Sequence, residues 1–175
     1  PYFQELKTFL DSKNIKNLTI VDSINAVKEF SALSNLKEGT VSLFSCLTTT
    51  DILKAYVEIL YSAFYCFLNW PEDTTFHGKN LSYAAFKQTV LEICSDETLH
   101  CLCIEKAFSN LCSKLSVKSV YLTLEFHPWE KLAWRAIRKA SPQTRILSHQ
   151  HSILNESMIH FFQTPEDLST CGLPD

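Results

Sequence analysis

Between residues 52 and 68 apolar side chains return every three or four positions, at Leu53, Tyr56, Val57, Leu60, Phe64 and Phe67. That is the spacing of one helical face. Capping side chains stand just ahead of it in Thr48-Thr49-Thr50-Asp51, so the pattern predicts a long, mostly buried helix. The same spacing at Phe3, Leu6 and Leu10 predicts a helix over residues 2–10, closed by Asp11-Ser12-Lys13-Asn14. A short buried strand over 18–21, a helix from Asp22 or Ser23 to residue 30, a loop over 34–40 and a second strand over 41–44 follow. Trp70-Pro71 ends the long helix, and the polar residues 71–81, with His77-Gly78 inside them, read as a flexible surface loop. Two more helices are predicted over 83–94 and 98–115, with Ser95-Asp96-Glu97 as break and cap.

The last third changes character. Residues 117–126 are rich in β-branched and aromatic side chains and predict an interior strand. Pro128 then suits the first turn of a helix, where its missing N–H has no intrahelical partner. Trp129, Leu132, Ala133, Ala136, Ile137 and Ala140 form its apolar stripe, Glu130 lies in its first turn, and Arg138 and Lys139 lie in its last. Both charge placements favour the helix dipole. Ser141-Pro142 stops the helix, and residues 144–149 read as a further strand. Strand, helix and strand in this order make a right-handed βαβ unit with parallel strands.

Composition narrows the class. With 3 glycines and 6 prolines in 175 residues, 46% of them hydrophobic, a turn-rich sandwich or barrel is disfavoured and an α/β fold with more helix than strand is expected, in one domain. A net charge of −3 provides no sequence-wide basic field for nucleic acid or an anionic membrane. No apolar run reaches the length of a membrane-spanning helix. The first residue is Pro1, without a basic and apolar leader behind it, so the start reads as a trimmed or internal one, with no support for secretion. Seven cysteines, an odd number, read as reduced cytosolic thiols. Cys94, Cys101, Cys103 and Cys112 beside His100 contain no Cys-x-x-Cys pair, and buried thiols are favoured over zinc ligands.

Parallel strands end on one edge of their sheet, the carboxyl rim where ligands of open α/β sheets bind. Glu125 and His127 follow the first strand, and His149, Gln150, His151 and Ser152 close the second. A carboxylate and up to three imidazoles are thereby brought to one crevice, able to supply a base or an acid near neutral pH. Structural readings stand beside these. Glu125 can cap the helix or pair with Arg135, His127 can be a plain loop residue, Trp129 a core anchor and Glu130 a dipole partner. His149 and His151 alternate on an extended segment, so one of them, His151 by preference, faces the crevice.

The stretch Leu124-Glu125-Phe126-His127-Pro128-Trp129-Glu130-Lys131, followed some twenty residues later by His149-Gln150-His151-Ser152, resembles bacterial surface-carbohydrate (capsule and O-antigen) biosynthesis proteins of GT-B glycosyltransferase type. The resemblance covers about residues 120–175, including Thr-Pro-Glu and Leu-Pro-Asp near the end; the helical first two thirds carry no matching motif. It implies a Rossmann-like three-layer α/β/α lobe with a short parallel sheet, the N-terminal lobe of a longer two-lobed protein. It also implies transfer of a sugar from a nucleotide-activated donor, held mainly by a C-terminal lobe, to a polysaccharide or lipid-linked acceptor. Glu125 and His151 are then the candidates for catalytic base, while His127, Trp129, Glu130, His149, Gln150 and Ser152 line the substrate cleft and Pro128 helps to shape it. No metal or other cofactor is implied, in keeping with the lack of an Asp-x-Asp pair. The location implied is the cytoplasm, compatible with peripheral association at the inner face of the membrane. The isolated chain lacks a glycine-rich phosphate loop, and alone it is expected to be an inactive half. A CDP-glycerol-type polyol phosphate transferase and a non-catalytic α/β interaction domain are the alternatives.

Overall fold

The computed structural model describes residues 4–21, 39–71, 75–125, 127–150, 165 and 174–175. The chain is α/β. Its contacts divide it into two compact units, residues 1–46 and 47–175.

In the first unit, α1 (Gln4–Ser12) matches the helix expected from the Phe3-Leu6-Leu10 spacing. The strands β1 (Thr19–Val21) and β2 (Thr40–Ser42) pair in parallel, Ile20 opposite Val41. The second strand stops earlier than expected, because Leu43–Cys46 tightens into a 3-10 turn in which Leu43 is buried. The helix expected from residue 22 or 23 to residue 30, and the loop from 34 as far as 38, lie outside the described residues.

The second unit opens with α2 (Thr49–Asn69). Its start is a complete capping box: the Thr48 hydroxyl accepts from the Asp51 N–H at 3.2 Å, and the Asp51 carboxylate accepts from the Thr48 N–H at 2.9 Å. Residues 75–80 are not the open loop read from their polarity. They form a minimal antiparallel hairpin, β3 (Thr75–Phe76) with β4 (Lys79–Asn80). Its two-residue turn places His77 and Gly78 at φ 49° and 72°, the doubly left-handed backbone that matches strand twist in such turns. Helix α3 (Ser82–Ile93) follows, then α4 (Asp96–Lys114), whose N-terminus is capped by the Ser95 hydroxyl accepting from the Thr98 N–H.

Helix α4 is the centre of the unit. Four consecutive residues, Cys101, Leu102, Cys103 and Ile104, are all buried, which requires neighbours around the whole circumference. Those neighbours are α5 (Pro128–Ala140) on one side and α2 and α3 on the other. The buried thiols of Cys101, Cys103 and Cys112 sit in this packing as small apolar groups, and burial raises the Cys103 and Cys112 thiols above their ordinary range. From α5, Ala133, Trp134, Ala136 and Ile137 complete the core. Trp134 was absent from the expected stripe, whereas Trp129 and Leu132, which were on it, are half-buried. The Arg135 guanidinium grips Glu105 of α4 through two bonds of 3.1 and 2.9 Å.

The predicted βαβ unit is present. Strands β5 (Ser119–Thr123) and β6 (Arg145–His149) flank α5 in sequence and pair in parallel, from Ser119 opposite Arg145 to Thr123 opposite His149. Val120 and Ile146 are the buried residues of the pair. Strand β5 is shorter than the ten residues read from composition, and among the described residues it pairs with β6 alone. Asp175 lies along β6 at Ile146, accepting from its N–H at 2.7 Å and from Arg138 at 2.8 Å. No described helix is long and apolar enough to cross a membrane.

One expectation fails. The face of α2 carrying Leu53, Tyr56, Val57, Leu60, Phe64 and Phe67 is exposed, each residue at 50–68%; the buried positions are Ala55 and Ile59, on the opposite side. The spacing reports that a helix has an apolar face, and it reports nothing about which neighbour meets it.

Two outcomes follow from this packing. Ile137→Ala should lower unfolding free energy by about 2–5 kcal/mol in urea titration, whereas Tyr83→Ala, at a residue 79% exposed, should change it by no more than about 0.5 kcal/mol. Asp51 is held below its usual 3.8 chiefly by the Thr48 hydroxyl, then by the Thr48 N–H and the Asn110 amide. A depressed native value gives stability that is complete above 3.8 and is lost as pH falls below it. The melting temperature should therefore fall less steeply in that acid range for Asp51→Asn than for the parent chain.

Candidate functional site

The carboxyl rim of the β5–β6 pair is built by the junction between β5 and α5. After Thr123 the ladder makes one more bond, from the Leu124 N–H to the His149 carbonyl at 3.0 Å. Glu125 and His127 then lie between that bond and the start of α5. A helix beginning at Pro128 needs an extended residue before it, and His127 has φ −60° and ψ 149°. The turn is fixed from below by Glu130, which has no exposed surface. One of its carboxylate oxygens accepts from the Thr123 hydroxyl at 2.7 Å, and the other accepts from the Glu125 N–H at 2.9 Å and the His127 N–H at 3.2 Å. A buried carboxylate costs several kcal/mol unless its lone pairs are filled, and local donors fill these. Glu130 is thus a fixed acceptor under the rim, and its side chain has no surface facing the crevice.

Above that clamp stand Glu125 and His127, whose side chains meet: His127 Nε2 is 3.0 Å from a Glu125 carboxylate oxygen. The pair is partly open to solvent, with the imidazole side chain 52% and the carboxylate side chain 26% exposed. The Arg135 guanidinium, weighed as a partner for Glu125, is bonded to Glu105 of α4. Where the carboxylate is ionised and the imidazole neutral, this contact is a hydrogen bond donated by Nε2. A carboxylate that sets the tautomer and angle of an imidazole is the arrangement by which histidine acts as a general base.

His149 ends β6 in register with Thr123, and both it and Gln150 are exposed at the same rim as Glu125 and His127. Trp129 is half-buried in the first turn of α5. His151 and Ser152 lie outside the described residues. The rim therefore gathers four polar candidates, Glu125, His127, His149 and Gln150, while Glu130 supports them from beneath.

Sequence reasoning missed Thr123. Its position at the end of a strand, seven residues before a first-turn glutamate, carries a signal only once the strand and helix are known to turn back on each other. Among the described residues no cluster of histidine, cysteine and carboxylate side chains has the arrangement of a metal site. Compared with known proteins, the chain matches no family model, no curated protein and no solved structure.

The clamp makes a stability prediction that separates it from the pair above it. Glu130→Ala leaves three donors without their acceptor and should cost about 3 kcal/mol in urea unfolding, while Glu125→Gln, at the solvent edge, should cost no more than about 1 kcal/mol. Equal costs would remove the distinction between support and rim.

Proposed function

We propose that the chain is the N-terminal, Rossmann-like lobe of a GT-B-type glycosyltransferase that builds bacterial surface polysaccharide. The observation carrying this reading is the Glu125 carboxylate set 3.0 Å from the His127 imidazole at the carboxyl end of a parallel strand pair. It is joined by the resemblance of the Leu124–Lys131 stretch and of the His149–Ser152 turn to such proteins.

Glycosyl transfer to an alcohol requires the acceptor hydroxyl to lose its proton as the anomeric carbon parts from the nucleoside diphosphate. A base aimed into an open cleft meets that need. Glu125 holds the imidazole of His127 in orientation, and that imidazole receives the acceptor proton; His151 is the second candidate for the same task. His149 and Gln150 offer hydrogen-bonding groups for sugar hydroxyls, and Trp129 in the first turn of α5 offers an apolar wall. The donor nucleotide is held mainly by a C-terminal lobe in this architecture. The acceptor is a growing polysaccharide or a lipid-linked sugar, which would bring the protein to the inner face of the membrane.

The test is transfer by the full-length protein, followed as nucleoside diphosphate released from a panel of nucleotide sugars in the presence of a lipid-linked acceptor. Glu125→Gln and His127→Ala, with His151→Ala as a third variant, should each be examined beside thermal melting. Loss of a general base should reduce turnover about 10²- to 10⁴-fold with the melting temperature nearly unchanged. Full turnover in all three variants would exclude the rim as the catalytic site, and turnover of CDP-glycerol in place of nucleotide sugars would reassign the donor class.

A further inference from the structure

Helix α2 presents its apolar residues outward. The side chains of Glu58 and Ser62 line a cleft of about 250 Å³ with Thr89, Glu92, Thr98 and Leu102 of the neighbouring helices, and Glu58 meets Lys106 of α4 at 3.4 Å. On the opposite face Leu53, Val57, Leu60, Phe64 and Phe67 follow one another at alternating spacings of four and three residues. This is the seam of a two-helix coiled coil, running for two heptads along a helix of 21 residues. Tyr56, Tyr61 and Leu68 widen it on both flanks, and all eight residues are at least half exposed.

We infer that this face of α2 pairs with the same face of a second copy of the chain, antiparallel, about a two-fold axis at Leu60. Three observations favour a second copy over another occupant. The 4-3-4-3 spacing reads nearly the same in both chain directions about Leu60, with Leu53 and Phe67 seven residues to either side and Val57 and Phe64 three and four, so a two-fold antiparallel pairing sets apolar side chains against apolar ones. No charged residue lies on it, so it offers nothing to an acidic or basic partner and nothing to repel its own image. Its exposed apolar surface is on the order of 900 Å² from the usual areas of such side chains, and a stable dimer needs about 800 Å² from each partner. The inference is independent of the enzymatic reading, because the rim residues lie on other elements.

The experiment is light scattering of the 175-residue chain after size exclusion, at roughly 50 μM, above the micromolar dissociation constants that weaker interfaces of this size reach. The expected mass is twice that of the chain. Leu60→Glu sets two carboxylates against each other on the axis and should give monomers with unchanged helical circular dichroism. Mixing Leu60→Glu with Leu60→Lys should restore dimers, as a heterodimer, and this mixture decides the matter if either variant alone is unfolded. A monomeric parent chain, a dimer that survives Leu60→Glu, or a mixture that fails to associate would each overturn the inference.

Discussion

Glu130 has a carboxylate with no exposed surface, and a charge survives in that position only if nearby donors replace the water it has lost. Here the donors are supplied by the strand that precedes the helix and by the turn between them: the Thr123 hydroxyl and the N–H groups of Glu125 and His127. The consequence is mechanical. One side chain in the first turn of α5 ties the end of β5 to the start of that helix, and everything at the rim is placed relative to the tie. The Glu125 and His127 side chains point toward each other because the backbone under them is held at two adjacent points.

The tie holds because α5 cannot rotate. Trp134 and Ile137 are fully buried on its inner side, and Arg135 is fastened to Glu105 by two bonds. Beside them α4 buries Cys101 to Ile104, Ala107, Phe108, Leu111 and Cys112 in its packing with α5, α2 and α3. At the far end of the unit, the Thr144 hydroxyl donates to the Val117 carbonyl at 2.7 Å and the Arg138 guanidinium donates to the Thr144 carbonyl at 3.2 Å, which fixes the entry to β6 relative to β5. Register is thus set at both ends of the parallel pair, and His149 comes out opposite Thr123 as a result.

The βαβ unit was legible in the sequence because each of its signals is local. Proline marks a helix start, β-branched runs mark strands, and the hand and direction of the crossover follow from chain chirality. The same holds for the caps at Thr48 and Ser95. What could not be read were facts about neighbours. Glu130 looks like an ordinary dipole partner until the turn folds over it, and Glu125 has two partners within reach in sequence, Arg135 and His127, of which it meets His127 at 3.0 Å. Polarity alone made residues 75–80 look like a loop, since a two-residue turn through His77-Gly78 is decided by backbone φ, not by hydropathy.

Helix α2 is the sharpest case. A segment that is apolar nearly all round belongs inside something, and the physics that predicted burial was sound about the cost of leaving it in water. Among the described residues, the positions of that helix that become buried are Ala55 and Ile59, and on the outer face Phe67 meets Phe86 at a ring-centroid distance of 6.2 Å. The remaining apolar surface is large relative to the stability of a domain of this size, and hydrophobic area of that extent is retained where something covers it. An exposed seam with coiled-coil spacing and no charge thus turns a failed expectation about burial into the surface on which the proposed pairing rests.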